Sequence, residues 1–281
     1  MPSACIESMH CYVINLPSAI RRLACVSREL ELYCPGIDWS VPRMYVASDM
    51  AEKDFTELYD AKRARRLHKR DLSHGEIACA LSHQSAMREF LDSGEDCCLI
   101  VEDDVIFSPT IGRFLKSLEQ WLRGRSQIPI CVVLSEAHAV RYWTSRKWLG
   151  NVRRTLPVEI FGAFAYVVNR AGAELILRVN SVPIHNSSDH WTYYRRYGLH
   201  LYGVNKILAG SSDFARTDSS LREGRAAVVK NMGYRTNIIR KVLNAALNRL
   251  KRLWWTLTGV SQEGRNRSND RLYMFNERNV A

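Results

Sequence analysis

Several hallmarks of membrane and disulfide-bonded proteins are missing from this sequence. No uninterrupted apolar run reaches the roughly 20 residues that a membrane-spanning helix needs. Residues 1–10 contain no apolar core of a secretory signal. The eight cysteines all precede residue 132 and none forms a C-x-x-C pair, so a reducing compartment fits better than a disulfide scaffold. We therefore expect a cytoplasmic protein whose contact with a membrane, if any, is peripheral and on the inner face.

Acidic side chains are scarce: 29 Asp and Glu stand against 40 Lys and Arg, which gives a net charge of +11. Such a charge favours an anionic partner such as a nucleotide, an anionic lipid or a nucleic acid. Residues 226–262 contain no acid at all, and apolar residues recur there at helical spacing. This pattern predicts a C-terminal basic amphipathic helix over 236–258, which either lies on an anionic membrane or packs on the protein itself. The predicted division is a domain over 1–225 and an extension over 226–281.

The most informative stretch is residues 97–107, CCLIVEDDVIF. Its short β-branched apolar run predicts a buried strand of a parallel sheet. The run ends in Glu102, Asp103 and Asp104, which repel one another unless a cation or water relieves them. Ligands of open α/β sheets bind at this edge. Two interpretations stay open: a divalent-metal site that holds a sugar-nucleotide diphosphate, and a solvated acidic loop. The cluster of acids, taken by itself, favours the solvated loop.

The remaining segments extend the α/β pattern. Strands are predicted at 12–16, 41–47, 130–134, 161–168 and 199–204, with helices after Ser18, after Ser108–Pro109 and over 171–179. Ser73 and Glu76 have the spacing of a capping box, which predicts a helix that stops near Gly94. Residues 136–158 predict a loop-rich insertion. The basic run at 62–70 is typical of a solvated helix face, with contact to an anionic ligand as the alternative.

Four motifs in order resemble glycosyltransferase family 25, the lipooligosaccharide and lipopolysaccharide core glycosyltransferases. They are VINL at 13–16, GEIACALSH at 75–83, LIVEDDV at 99–105 and GAFAYVV at 162–168, and the likeness runs from about residue 11 to 225. The resemblance implies a GT-A-like fold, a Rossmann-type, mostly parallel sheet flanked by helices. It further implies inverting transfer of a sugar, usually galactose, from a UDP-sugar to a glycolipid or oligosaccharide acceptor, with Mn²⁺ or Mg²⁺ as cofactor.

The resemblance also suggests roles for individual residues. Asp104 falls where a direct metal ligand is expected, and Glu102 where the ribose or a metal-bound water is held, so both are metal-site candidates. Asp189 is the candidate general base, with His190 as its rival or as a further ligand. The donor-binding candidates are Asn15, Leu16, Arg22, Ser82, His83 and Asp103. Without the resemblance, an interior histidine such as His83 is more often structural than a ligand.

A different class of function competes with this interpretation. The positive charge and the run at 62–70 also suit a basic protein that binds nucleic acid or anionic lipid without catalysis. Three acids at a strand end do not suit it, and no familiar nucleic-acid motif is present. No Walker-type glycine loop supports phosphoryl transfer either. We therefore expect no nucleic-acid partner.

Overall fold

The computed structural model describes residues 9–136, 139–141, 146–149, 152–160, 162–211, 250 and 260–261. The strands are β1 His10–Ile14, β2 Trp39–Ser40, β3 Cys97–Glu102, β4 Val105–Phe107, β5 Ile130–Glu136, β6 Ala139–Arg141, β7 Arg146–Leu149, β8 Val152–Thr155, β9 Pro157–Glu159, β10 Ala165–Asn169, β11 His200–Val204, β12 Ala209–Ser211 and β13 Val260–Ser261. The helices are α1 Ile20–Tyr33, α2 Glu52–Leu58, α3 Ala61–His68, α4 His74–Ser93, α5 Ile111–Arg123, α6 Arg170–Val179 and α7 Trp191–Tyr194.

The central sheet has eight strands in the order β2-β1-β3-β10-β5-β11-β8-β7. Strand β10 runs antiparallel to both of its neighbours, and β8 runs antiparallel to β11 and β7. The other six strands share one direction, so the predicted mostly parallel α/β sheet is confirmed. Because Ala165 at the start of β10 pairs with Val101 near the end of β3, the start of β10 joins the carboxyl ends of β1 and β3 at one edge.

Both faces of the sheet are buried, which explains the continuous apolar runs in its strands. Leu99 and Val101 belong to the core beneath α1 and α5, whereas Cys98 and Ile100 belong to the core beneath α4 and α6. Successive strand side chains point to opposite faces, so each residue of β3 packs against one helical layer or the other. The sheet edge is thereby held rigidly between two packed layers.

The predicted capping box opens α4. The Ser73 hydroxyl accepts a hydrogen bond from the Glu76 amide at 3.3 Å, and the Glu76 carboxylate accepts one from the Ser73 amide at 2.9 Å. The helix ends at Gly94, whose φ of 82° lies in the left-handed region that glycine tolerates. Helix α4 is therefore fixed at both ends and carries Cys79, Ser82 and His83 towards the carboxyl edge of the sheet.

Some local predictions were wrong. The second strand is Trp39–Ser40 and not 41–47, because Pro42 has no amide to donate to a strand partner. The segment that follows crosses α4 instead, where the Tyr45 amide donates to the Ser82 hydroxyl at 2.9 Å. The helix after Pro109 begins at Ile111, and the strand predicted from 161 begins only at Ala165. The insertion forms short strands, two of which extend the central sheet.

The predictions for the C-terminal region stay untested. The helix at 236–258 and the extension at 226–281 lie outside the described residues, apart from 250 and 260–261. Among the described residues, none of the helices combines the length and the apolar character that crossing a bilayer requires. Residues 62–68 of the basic run lie in α3, where the side chains of Lys62, Arg65 and Arg66 are exposed.

Candidate active site

A cavity of about 380 Å³ opens at the carboxyl edge of the sheet. Ile14 and Leu16 at the end of β1 and Glu102, Asp103 and Asp104 after β3 form one side of it. The opposite side is formed by residues 44–48 and by α4, and the contributing α4 side chains include Ala78, Cys79 and Ser82. We call this space the first cavity. Its position agrees with the rule that open α/β sheets bind ligands outside the carboxyl ends of their strands.

Most predicted donor-binding residues line the first cavity, namely Leu16, Arg22, Ser82 and Asp103. Two do not. Asn15 is buried, and its side-chain amide donates to the carbonyl of Leu16 at 2.9 Å, so it shapes the loop after β1. His83 is also buried and lies behind Glu102 rather than in the cavity wall.

Asp103 and Arg22 form a partly buried ion pair, with 3.3 Å between the guanidinium nitrogen and the carboxylate oxygen. Burial raises the pKa of Asp103 to about 6, although Arg22 acts in the opposite direction. The contact holds the Arg22 guanidinium of α1 at the cavity wall. Asp103 already has a positive partner within the chain, which makes it a poorer candidate for holding a metal than its neighbours.

Among the three acids after β3, Asp104 is the strongest candidate for a metal ligand. Burial, followed by the charge of Glu102, raises its pKa to about 7. Its Oδ2 accepts a hydrogen bond from the Ser211 hydroxyl at 3.1 Å, while its Oδ1 is buried and has no hydrogen-bond partner among the described residues. Oxygen ligands suit Mn²⁺ and Mg²⁺, which commonly use only one or two carboxylates together with substrate phosphates. Glu102 and Asp104 therefore fit such an ion.

Glu102 is held from behind by His83. The His83 Nε2 lies 3.4 Å from the Glu102 Oε1, and its Nδ1 lies 3.0 Å from the Tyr166 hydroxyl. Burial lowers the pKa of His83, but contacts with Cys79 and Glu102 outweigh it and raise the pKa to about 10. The Glu102 amide also donates to the Phe164 carbonyl at 2.9 Å. Strand β10 and helix α4 together therefore fix the position of this carboxylate.

A second cavity of about 160 Å³ adjoins the first. Residues 162–164, Glu76 and the segment Ser187–Asp189 contribute to its lining. The Ser187 hydroxyl donates to the Asp189 Oδ1 at 2.8 Å, which orients the predicted base. His190 is not among the lining residues; burial lowers its pKa, and its Nδ1 lies 3.1 Å from the Asn186 Oδ1.

The two cavities share Cys79 and Glu102. A molecule in either space therefore reaches the same carboxylate, while Asp104 lines only the first cavity and the predicted base Asp189 lines only the second. Two substrates bound in the two cavities would meet at this junction, which is what a group transfer between them requires.

Sequence reasoning missed several residues of this site. Cys79 was missed although it lies four residues before the predicted His83 in the same motif, so their shared helix face was available as a signal. Ser211 lies 107 residues from Asp104, and nothing in the sequence indicated their contact. Residues 44–48 were not recognised as part of the cavity wall because the sequence incorrectly predicted a strand at 41–47.

Comparison with known proteins gives results of different strength. The chain is similar to a mannose-1-phosphate geranyltransferase from Thermus thermophilus in solved structure, at 10% identity over 70% of this chain and 74% of that one. The TM-score of this match is 0.34. Over 112 residues the chain is 26% identical to procollagen galactosyltransferase 1 of Danio rerio, which covers 40% of this chain and 18% of that protein.

The family comparison covers much more of the chain. The model described as glycosyltransferase family 25 (LPS biosynthesis protein) matches residues 8–191, and this range includes the acids after β3, the motif of α4 and Asp189. The match spans more than half of the sequence and both cavities described above. This chain belongs to glycosyltransferase family 25.

Proposed function

We propose that this protein is an inverting, metal-dependent glycosyltransferase that moves galactose from UDP-galactose to a lipooligosaccharide or lipopolysaccharide core or a related glycan. The observation that carries the proposal is the junction at Glu102, where a cavity with metal-fitting acids meets a cavity that contains Asp189. The family description supports the acceptor class, and the Danio rerio relative, named a galactosyltransferase, supports the sugar.

The first cavity is the proposed donor site. Its volume of about 380 Å³ lies within the usual range for small-molecule pockets. Glu102 and Asp104 would hold Mn²⁺ or Mg²⁺, which neutralises the charge on a leaving diphosphate when bound. The Arg22 guanidinium adds a second positive group at the same wall. Leu16, Ser82 and the loop shaped by Asn15 complete the contacts expected for the nucleotide.

The second cavity is the proposed acceptor site. Asp189 takes the proton from the acceptor hydroxyl, a role worth about 10²–10⁴-fold in rate. Ser187 keeps the carboxylate oriented through its 2.8 Å hydrogen bond. In the proposed reaction the acceptor hydroxyl attacks the anomeric carbon on the face opposite the leaving diphosphate, so the anomeric centre inverts and UDP leaves. His190 is the alternative base.

The test uses UDP-galactose, manganese chloride and a purified lipooligosaccharide acceptor. We expect release of UDP and a product whose anomeric configuration, read by NMR, is opposite to that of the donor. Asp189→Asn lowers turnover about 10²–10⁴-fold while calorimetry shows unchanged affinity for UDP. His190→Gln is the matched variant: a large loss of turnover in it, with normal turnover in Asp189→Asn, assigns the base to His190. Loss of UDP affinity in Asp189→Asn would place that residue in the donor site.

The predicted helix at 236–258 adds a proposal about location. We propose that it attaches the protein to an anionic membrane surface, where each Lys or Arg contributes about 1 kcal/mol. Deletion of 236–281 is expected to abolish co-sedimentation with vesicles that contain anionic lipid, while transfer to a soluble oligosaccharide is retained. Unchanged vesicle binding would mean that this segment does not provide the attachment.

A further inference from the structure

Three side chains of different chemistry converge where the two cavities meet. Cys79 and His83 lie one turn apart on the same face of α4, and Glu102 reaches them from the end of β3. One sulfur, one ring nitrogen and one carboxylate oxygen all lie within 4.8 Å of one another. In the part of the chain that the structure describes, no other three His, Cys, Asp or Glu side chains converge in this way.

The ring of His83 is oriented as a metal ligand would be. The residue is 2% exposed, and the Tyr166 hydroxyl lies 3.0 Å from its Nδ1. The other nitrogen, Nε2, is buried and forms an ion pair with Glu102 at 3.4 Å, without a well-aligned hydrogen bond to any described residue. Histidine ligands of metals usually have one nitrogen fixed by a hydrogen bond in this manner and the other directed at the ion.

One of the three ligand spacings already matches a tetrahedral zinc centre. Zinc–nitrogen and zinc–oxygen bonds of about 2.0–2.2 Å at a tetrahedral angle place the two ligand atoms about 3.4 Å apart. The nitrogen of His83 and the oxygen of Glu102 are 3.4 Å apart, which is long for a hydrogen bond. A zinc–sulfur bond of about 2.3 Å requires about 3.6 Å between sulfur and nitrogen. Because the three atoms span up to 4.8 Å, zinc binding requires the Cys79 sulfur, which now lies 3.6 Å from the Ser188 hydroxyl, to move closer by rotation of its side chain.

We propose that Cys79, His83 and Glu102 form a zinc site, separate from the manganese or magnesium site proposed at Glu102 and Asp104. Thiolate, imidazole and carboxylate together favour zinc, whereas the harder ions prefer oxygen alone. Binding releases two protons to the solvent, one from the Cys79 thiol and one from the His83 ring, because the contact with Glu102 keeps that ring protonated in the absence of metal. Three protein ligands leave a fourth position open, at the junction of the two cavities.

The site has one consequence for sugar transfer, and this consequence rests on the proposed function. Glu102 belongs to both ligand sets, so the protein can supply a complete set to only one ion at a time. When zinc binds at Cys79, Glu102 would no longer be available as a ligand for the Mn²⁺ or Mg²⁺ ion of the donor site. Added zinc would therefore inhibit transfer.

Cobalt chloride, added to nucleotide-free protein, provides the test. We expect a thiolate-to-cobalt charge-transfer absorption that saturates at one ion per chain and disappears when zinc chloride displaces the cobalt. Cys79→Ser removes the absorption, whereas Cys25→Ser, which alters an exposed cysteine of α1, preserves it. Absence of the band in the wild type, or its persistence in Cys79→Ser, would overturn the proposal.

A second measurement needs no variant. Zinc chloride is expected to protect Cys79, but not Cys25, from alkylation by iodoacetamide, as read by peptide mass spectrometry of the wild-type protein. Equal alkylation of Cys79 with and without zinc counts against the site. Manganese-dependent binding of UDP is measured in parallel, because its persistence without a cobalt signal would remove the zinc site and leave sugar transfer standing.

Discussion

Replacing Asp104 by asparagine tests whether this acid is destabilising until a cation reaches it. Burial and the charge of Glu102 raise its pKa from 3.8 to about 7. At about 1.4 kcal/mol per pH unit, the ionised carboxylate costs the folded state up to about 4 kcal/mol. The hydrogen bond from Ser211, partial exposure and coupling to Glu102 reduce this cost. We therefore expect Asp104→Asn to raise the free energy of unfolding by about 1–2 kcal/mol at pH 8 without metal.

The stability gained by Asp104→Asn depends on pH, and the sign of the pKa shift determines whether this gain rises or falls with pH. Because the pKa of Asp104 is higher in the folded than in the unfolded chain, the penalty is complete above about pH 7. It declines as the pH falls and is absent below about pH 4, where both states are protonated. Urea unfolding in the presence of a chelator at pH 8, 6 and 4 should show the advantage of Asp104→Asn shrinking at each step.

The matched control is Asp92→Asn, the same chemical change at an exposed carboxylate of α4. Its free energy of unfolding should stay within about 0.5 kcal/mol of the wild type. Asp104→Asn should also lose at least about tenfold in affinity for Mn²⁺ in the presence of UDP, because a neutral amide is a weaker ligand. The reasoning is refuted if Asp104→Asn is less stable than the wild type at pH 8 or binds Mn²⁺ normally.

Two further predictions concern how the site is supported, and both are measured by urea unfolding. Arg70→Gln removes the 2.7 Å partner of the buried Glu76 and should cost about 3–5 kcal/mol, whereas Arg65→Gln, at an exposed pair, should cost less than about 1 kcal/mol. Gly112→Ala would place a Cβ 2.5 Å from a backbone carbonyl of α1 and should cost about 1–3 kcal/mol; Gly124→Ala, with no atom within 4 Å, should cost less. Equal effects within either pair would contradict the packing described.

The sequence predicted the site best where local pattern and sheet geometry act together. A buried strand that ends in three acids specifies their place at the carboxyl edge, and Glu102, Asp103 and Asp104 all line the first cavity. The capping box fixed the start of α4, so the positions of Ser82 and His83 followed. The placement of Asp189 in a cavity next to Glu102 came from family resemblance alone.

The features that sequence could not predict depend on tertiary contacts. The run at 162–168 has the same apolar pattern in either direction, so the reversal of β10 between β3 and β5 was not available from it. The contact of Ser211 with Asp104 requires the pairing of β12 with β4. Residues 41–47 have strand-like composition, yet their segment is held to α4 through Ser82 instead.

The most direct test of the central claim is calorimetric titration of UDP into the full-length protein in manganese chloride, repeated with a chelator and with Asp104→Asn. The account predicts saturable binding of one UDP per chain with manganese, and at least tenfold weaker binding in the other two samples. No binding by the folded wild type, or equal binding in all three samples, would contradict a donor site built on the acids after β3.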